Sequence, residues 1–176
     1  MKKDAVDDIL EQWSEERPEL DTASLGVVIR VTSLNRAFLR QATEALAPLD
    51  LELFEYDVLS ALRRQGRPYA LSATGIARET GLSSGAMTNR IDKLETRGLV
   101  MRKGDKADRR TVIVSLTSKG KRAIDDAIQL RLEAADESLR GLSARERNDL
   151  ASLLRKVRLT GTEGAEEVYV NRRHPP

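Results

Sequence analysis

The stretch from Ser83 to Gly98, SSGAMTNRIDKLETRG, decides the fold because its apolar and polar residues separate by helical angle. At about 100° per residue, Met87, Ile91 and Leu94 fall within about 60° of one another and predict a face packed on a core. The opposite side carries polar residues and a glycine: Gly85, Asn89, Asp92 and Lys93. The stretch therefore predicts an amphipathic helix with one buried side and one polar side.

The start and the polar side of this helix suit contact with DNA. A glycine lets the backbone approach closely, and free N–H groups at a helix start bind phosphate. Asn89 can pair with adenine in the major groove, Thr88 can touch a thymine methyl, and Arg90 lies on the flank of the helix. A solvated surface helix does not explain a glycine and two serines followed by few acids in a basic setting. The predicted DNA contacts on this helix are Ser83, Ser84, Gly85, Thr88, Asn89, Arg90 and Lys93.

The segments on either side of this helix complete a winged helix. Ser72 or Thr74 can start a short preceding helix, which Gly81 ends in a left-handed conformation. After the quoted stretch, LVMRK and TVIVSL frame the break GDKADRR, and Val112, Val114 and Leu116 alternate as in a half-buried strand. Helix–turn–helix followed by a hairpin is the order of a winged helix.

The break GDKADRR is the predicted tip of the wing. Asp108 and Arg110 are two positions apart, so they can face the same way at the start of a strand. An acid beside an arginine can fix the guanidinium for insertion into a narrow minor groove, and Arg109 adds a further charge. The alternative is an ordinary charged hairpin turn. We predict DNA contacts from Asp108, Arg109 and Arg110.

Apolar helices flank this module. Residues 5–16 form a short stripe that Pro18 ends, and further helices are predicted over about 24–47, 52–65, 118–140 and after the capping box SARE at 143–146. The fold class is mainly α with a small β wing, a winged helix-turn-helix flanked by N- and C-terminal dimerisation helices. The predicted segments are an extra N-terminal helix (1–22), dimerisation helices (23–50 and 118–160), the DNA-binding domain (51–117) and a flexible tail (161–176). The alternative to dimerisation is an intramolecular bundle.

Composition supports a polyanion partner and argues against catalysis. The net charge of +2 conceals an acidic N-terminus, with three basic and eight acidic groups in residues 1–22, and a basic middle, with fifteen basic and five acidic groups in residues 61–122. The chain has no cysteine, and its one histidine, His174, lies in the tail RRHPP. We therefore expect no catalytic residue, cofactor or metal site. No apolar run is long enough for a membrane span or a signal core, so we expect a cytoplasmic protein.

The residues GLSSGAMTNRIDKLETRGLVMRK, followed by DKADRRTVIVSLTSKG, resemble the winged helix-turn-helix of MarR-type transcriptional regulators. The most specific part is DRR…V.LT..G, and the resemblance covers roughly residues 24–160. It implies a homodimer held by its N- and C-terminal helices. It also implies binding to a pseudo-palindromic site on double-stranded DNA, usually as a repressor that a small ligand releases.

A narrower resemblance concerns the ligand. Trp13 on the extra helix, Asp57 of YDVL, Arg90 of NR and Arg102 of GLVMRK are similar to the ligand residues of urate-responsive MarR-type regulators. The resemblance implies a small anionic ligand such as urate or another purine. Asn35 stands near a position where that subgroup often carries a histidine, a departure that bears on urate more than on anions generally.

Three alternatives remain at this point. The protein can be a regulator of a phenolic or drug-like ligand, a constitutive regulator, or a winged helix used only for protein interaction. An enzyme is disfavoured by the absence of cysteine, the single tail histidine and the absence of a Gly-rich phosphate loop.

Overall fold

The computed structural model describes residues 2–81, 84–104 and 111–161, with the backbone alone at 84–86 and 161. Of the predicted tail, 161–176, all but residue 161 lies outside these residues. By contact, the chain divides into two compact units, Met1–Thr43 and Glu44–Pro176. The described residues contain no helix that combines the length and apolarity needed to cross a membrane.

The first unit contains helix α1 (Ala5–Glu16) and most of helix α2 (Ala23–Leu46). Asp4 caps α1 in a capping box with Asp7. Arg30 of α2 binds Asp4 through Nε and Nη2, both at 2.9 Å, and Asp7 through Nη2 at 2.6 Å. These bonds hold the pKa of Asp4 at about 2, mainly through Arg30. The short helix predicted over 5–16 is therefore present and tied to α2.

The second unit contains the elements of a winged helix in the predicted order. After a 3₁₀ turn (Ala47–Leu49) come α3 (Leu53–Arg64), β1 (Ala70–Ser72), α4 (Ala73–Thr80), α5 (Ser84–Thr96), β2 (Val100–Gly104), β3 (Val112–Leu116), α6 (Ser118–Ser138) and α7 (Ala144–Gly161). The fold is mainly helical with a small sheet, as the sequence predicts.

The sheet has three strands in the order β1-β3-β2, all antiparallel. In the wing hairpin, Val100 pairs with Leu116 and Gly104 with Val112. Val114 is fully buried, whereas Val112 at the strand start is exposed. Strand β1, which pairs Ala70 with Ser115, was not predicted from the sequence. This strand ties the start of the helix-turn-helix to the wing.

One apolar core joins α3, α4, α5, the sheet and α6. Its buried members are Leu46, Leu51, Val58, Leu59, Leu62, Ile76, Met87, Ile91, Leu94, Leu99, Val100, Val114, Ile124 and Ala127. Helix α6 leaves the wing through Thr117, whose hydroxyl accepts from Gly120 N at 3.0 Å and donates to Gly98 O at 2.7 Å. A Cβ at Gly120 would lie 1.9 Å from the carbonyl oxygen of Leu99. The LT..G pattern therefore marks a close approach of α6 to Leu99, in the turn between α5 and β2.

Large apolar side chains on the outer helices remain exposed in the single chain. Seven of them on α2 are 39–60% exposed: Leu25, Val27, Val28, Val31, Leu34, Phe38 and Leu39. Four on α7 are 45–66% exposed: Leu153, Leu154, Val157 and Leu159. The capping box predicted before α7 is present, with Ser143 N donating to Glu146 Oε2 at 2.8 Å. The segment boundaries predicted from sequence stay predictions.

Candidate nucleic-acid interface

Helix α5 is the second helix of the helix-turn-helix, the recognition helix. It has the two faces that its sequence predicts. Met87, Ile91 and Leu94 are 0–1% exposed and belong to the core. Thr88, Asn89 and Lys93 are exposed, and Arg90 is half-buried on the flank. Ser84 and Gly85 form part of the first turn, and Ser83 lies outside the described residues. The exposed face thus carries an amide, a hydroxyl and an ammonium group, which are the groups that contact base edges and phosphates.

Helix α4, which precedes α5 in the helix-turn-helix, has a well-defined start and end. The Ser72 hydroxyl caps α4 by accepting from Gly75 N at 3.0 Å, so Ser72 rather than Thr74 is the cap. Gly81 ends α4 with a φ of 67°, in the left-handed region where glycine has no steric penalty. Thr80 is buried and donates to Ile76 O at 2.8 Å. These features end α4 at Gly81, three positions before α5 begins.

The far end of α5 is held by an ion-pair network that the sequence analysis missed. The Arg97 Nη1 donates to the fully buried Glu55 Oε2 at 2.5 Å, and its Nη2 donates to the Asp50 carbonyl at 2.6 Å. The same Glu55 oxygen accepts from Glu52 N at 3.0 Å, completing a capping box on α3. Arg97 therefore fixes the end of the recognition helix to the start of α3.

Arg102 of β2 contacts the recognition helix directly. Its Nη1 lies 2.5 Å from Asp92 Oδ1 and 3.2 Å from Glu95 Oε2, and its Nη2 donates to the Thr88 carbonyl at 3.2 Å. Arg102 thereby neutralises both acids of α5. Because those carboxylates would repel a phosphate backbone, this pairing favours DNA binding by the helix. The predicted role of Arg102 in ligand binding stays a prediction.

Arg90 leans inward, towards α3. Its guanidinium carbon lies 4.7 Å from the centre of the Phe54 ring, and the Lys93 ammonium lies 5.5 Å from the same centre. Both distances are within cation–π range. Two basic residues of the recognition helix thus share one aromatic ring of α3.

Asp57 lies about one turn further along α3 than Phe54 and is half-buried. Burial raises the pKa of its carboxyl, against the opposing charges of Arg131, Arg90 and Arg64. Asp57 and Arg90, both of which the resemblance assigns to the ligand site, are therefore close enough to interact electrostatically. Arg64 and Arg131 were not predicted as site residues, since no motif or periodicity distinguishes them from other surface arginines.

The remaining predicted residues lie elsewhere. Trp13 is on α1 in the first unit, with 44% of its surface exposed. Asp108, Arg109 and Arg110 lie outside the described residues. Within the described part of the chain, no group of three or more His, Cys, Asp or Glu side chains could hold a metal ion.

A winged helix with a buried apolar face and an exposed, basic polar face on its second helix defines a class of DNA-binding protein. A family model described as MarR family matches residues 49–111, which spans most of this module. The regulator PecS of Dickeya dadantii (strain 3937), an HTH-type transcriptional regulator, is 32% identical over 152 residues, covering 86% of this chain and 92% of that protein. The chain belongs to the MarR family of winged-helix transcriptional regulators, which are DNA-binding proteins rather than enzymes.

Two solved structures are similar to this chain in fold and, at 25–28% identity, in sequence. A mutant form of MarR from E. coli, complexed with operator DNA, matches with a TM-score of 0.66 and 28% identity over 82% of this chain and 96% of that chain. BpsR of Bordetella bronchiseptica, whose DNA binding is regulated by 6-hydroxynicotinic acid, matches with a TM-score of 0.67 and 25% identity over 79% and 96%. The predicted family and fold are thus confirmed.

Proposed function

We propose that this protein is a repressor that binds a pseudo-palindromic operator as a homodimer and leaves it when a small anionic metabolite, such as urate or another purine, binds. The proposed ligand response rests on the position of Arg90. It lies on the recognition helix, yet its guanidinium rests on Phe54 of α3 and acts on Asp57. A ligand that engages these groups would act directly on the helix that contacts DNA.

DNA recognition is assigned to the exposed face of α5, with Thr88, Asn89 and Lys93 at its centre. Asn89→Ala should weaken binding to the specific site about tenfold or more, since a bidentate base contact contributes about 1–3 kcal/mol. The matched control is Asn148→Ala, an exposed amide on α7. Gel shifts on DNA from upstream of the gene measure both. Equal affinities of the two variants for the specific site would contradict this assignment. The affinity of the wild type for DNA should also fall steeply as the salt concentration rises.

The wing residues Asp108, Arg109 and Arg110, and the helix-start residues Ser83, Ser84 and Gly85, complete the proposed DNA surface. Arg110 would enter the minor groove with Asp108 as its support. Arg110→Ala should therefore weaken protection at the flanks of a footprint, not at its centre. Loss of central protection with intact flanks would contradict the assignment.

Homodimer formation is supported by the exposed apolar side chains of α2 and α7. Monomeric proteins seldom leave so many large apolar residues of one helix in water, and DNA-reading helices usually come in symmetric pairs. Leu153→Asp should shift the protein towards monomer in size-exclusion chromatography with light scattering. Met101→Asp, an exposed apolar residue of β2, should leave the mass unchanged. A monomeric wild type would contradict the homodimer.

Coupling requires that the ligand prefer the conformation that does not bind DNA. Arg90→Ala should weaken DNA affinity and ligand response together. Trp13 is the only tryptophan, so any change of tryptophan fluorescence on adding ligand comes from this residue. An Arg90→Ala protein with a normal ligand response in fluorescence titration and gel shift would refute the shared role of Arg90.

A second candidate is a MarR-type regulator of a phenolic, drug-like or aromatic acid ligand. The relative BpsR, whose DNA binding responds to 6-hydroxynicotinic acid, favours this alternative, as does the absence of a histidine near Asn35. Parallel titrations with purines and aromatic acids separate the two candidates. Absence of salt-dependent duplex binding would instead favour a winged helix used for protein interaction.

A further inference from the structure

Arg131 of α6 carries a buried donor that nothing in the described residues satisfies. Its Nε is buried and has no hydrogen-bond partner there. Its guanidinium carbon lies 5.6 Å from the centre of the Tyr56 ring of α3, which is within cation–π range. Buried donors are nearly always hydrogen-bonded, so this one calls for a partner outside the described residues.

An unsatisfied acceptor lies beside it. The half-buried carboxylate of Asp57 makes no hydrogen bond or ion pair to any described residue, although Arg131, Arg90 and Arg64 are near enough to act on its pKa. Arg64 has its own partners, Ser60 Oγ at 3.0 Å and Glu79 Oε2 at 3.3 Å. Arg90 and Arg131 are instead each placed over a ring of α3, at Phe54 and Tyr56 respectively. Asp57 follows these two rings in sequence.

We propose that Arg131 anchors the ligand site together with Asp57 and Arg90, and that this site takes a planar heterocyclic anion that also carries a ring N–H. The ring N–H would donate to Asp57, and an anionic oxygen would accept from Arg131 Nε and the Arg90 guanidinium. The two arginines of the site, Arg90 and Arg131, exceed its one carboxylate in charge, so a neutral phenol of the same size lacks the required interaction. This inference rests on the ligand response proposed above, and it adds α6 to the elements that contact the ligand.

The test is isothermal titration calorimetry on the full chain, with urate and 6-hydroxynicotinate as probes and 6-hydroxynicotinamide as the neutral analogue. The variants are Arg131→Gln and Arg131→Lys. Arg122→Gln is the matched control because Arg122 is exposed on the same helix, nine positions or about two and a half turns earlier, and so on the opposite side of the helix. Circular dichroism checks folding, and a gel shift without ligand checks DNA binding.

We expect at least one anion to bind the wild type and Arg122→Gln equally, and to bind Arg131→Gln tenfold or more weakly, a change of about 1.4 kcal/mol. Arg131→Lys should lose affinity to a smaller extent, because it keeps the charge without the planar donors. DNA affinity without ligand should be the same in all of these proteins.

Equal affinities of Arg131→Gln and Arg122→Gln would overturn the inference while leaving the proposed ligand response intact. Tight binding of the neutral amide would overturn the requirement for an anion. Failure of both anions to bind the wild type would contradict the inference and the ligand part of the proposed function together, whereas the gel shift tests DNA binding separately. If Arg131→Gln does not fold, wild-type affinity in Arg131→Lys overturns the inference and a threefold or greater loss supports it.

Discussion

Gly120 lies where α6 crosses Leu99, in the turn between α5 and β2, and replacing it with alanine should strongly destabilise the second unit. The new Cβ would lie 1.9 Å from the Leu99 carbonyl oxygen and 2.8 Å from its carbonyl carbon. Carbon and carbonyl oxygen contact each other at about 3.3 Å or more, so α6 and Leu99 must separate by about 1.4 Å. Both atoms belong to backbone, so no side-chain rotation relieves the clash.

That separation breaks the bonds through which Thr117 holds the crossing. Thr117 N donates to Leu99 O at 3.1 Å, and its hydroxyl donates to Gly98 O at 2.7 Å while capping α6. Overpacking costs about 1–3 kcal/mol, and a lost cap about 1 kcal/mol more. We therefore expect Gly120→Ala to lower the free energy of unfolding by about 3 kcal/mol and the Tm by roughly 6–12 °C.

Urea and thermal unfolding, followed by circular dichroism at equal protein concentrations, measure this change. Gly141→Ala is the matched control, because a Cβ at Gly141 meets nothing within 4 Å. The control should be within about 0.5 kcal/mol of the wild type or slightly more stable. Equal stability of the two variants would show that the crossing is not as close as described, and would refute the explanation of the LT..G pattern.

Three further changes test the site. Arg97→Met leaves the buried Glu55 carboxylate without its ion-pair partner and should lower the free energy of unfolding in urea by about 2 kcal/mol. A fully buried pair would cost about 3–5 kcal/mol, but Arg97 is partly exposed. An unchanged free energy of unfolding would contradict the stabilising role of Arg97. Asp57→Asn should raise the Tm at neutral pH. Burial raises the pKa of this carboxyl above its unfolded value, so ionisation costs stability above the folded pKa, and the gain should vanish as the pH falls through it; a pH-independent gain would contradict this cause. Arg102→Gln should weaken DNA binding in gel shifts by freeing two acids on α5, and unchanged affinity would refute that effect.

The recognition helix could be predicted from sequence because its burial follows a single local rule. Met87, Ile91 and Leu94 share one face at helical spacing, and each of them is buried as expected. The capping box at Ser143 and Glu146 is equally local and equally present. Features that depend on residues a few positions apart are therefore well determined by the sequence alone.

Strand β1 shows where such local rules stop. Its three residues are too few to display an alternating pattern, and they become a strand only by pairing with β3, with Ala70 opposite Ser115. The tie between Arg97 and Glu55 is similar, since it joins positions 42 residues apart. Nothing in the composition near either residue distinguishes this pair from surface charges.

The candidate ligand cluster divides in the same way. A family resemblance pointed to Asp57 and Arg90, and the structure places their charges close together. Arg131 comes from a helix that is 74 positions beyond Asp57 along the chain, and only the packing of α6 on α3 brings it there. The engagement of Arg102 by Asp92 and Glu95 likewise depends on the geometry of the wing.

The energetics of Arg90 set a requirement on any ligand. The C-terminal end of α5 is fixed by Arg97, whereas its middle is held to α3 by Arg90 and Lys93 over Phe54. A cation–π contact contributes only about 0.5–2 kcal/mol, but reversing a two-state equilibrium from 1:99 to 99:1 requires about 5.5 kcal/mol of differential binding. Displacing Arg90 from its ring is therefore insufficient as a switch by itself. The ligand must gain the rest from groups that are unsatisfied without it, and among the described residues Asp57 and Arg131 meet that description.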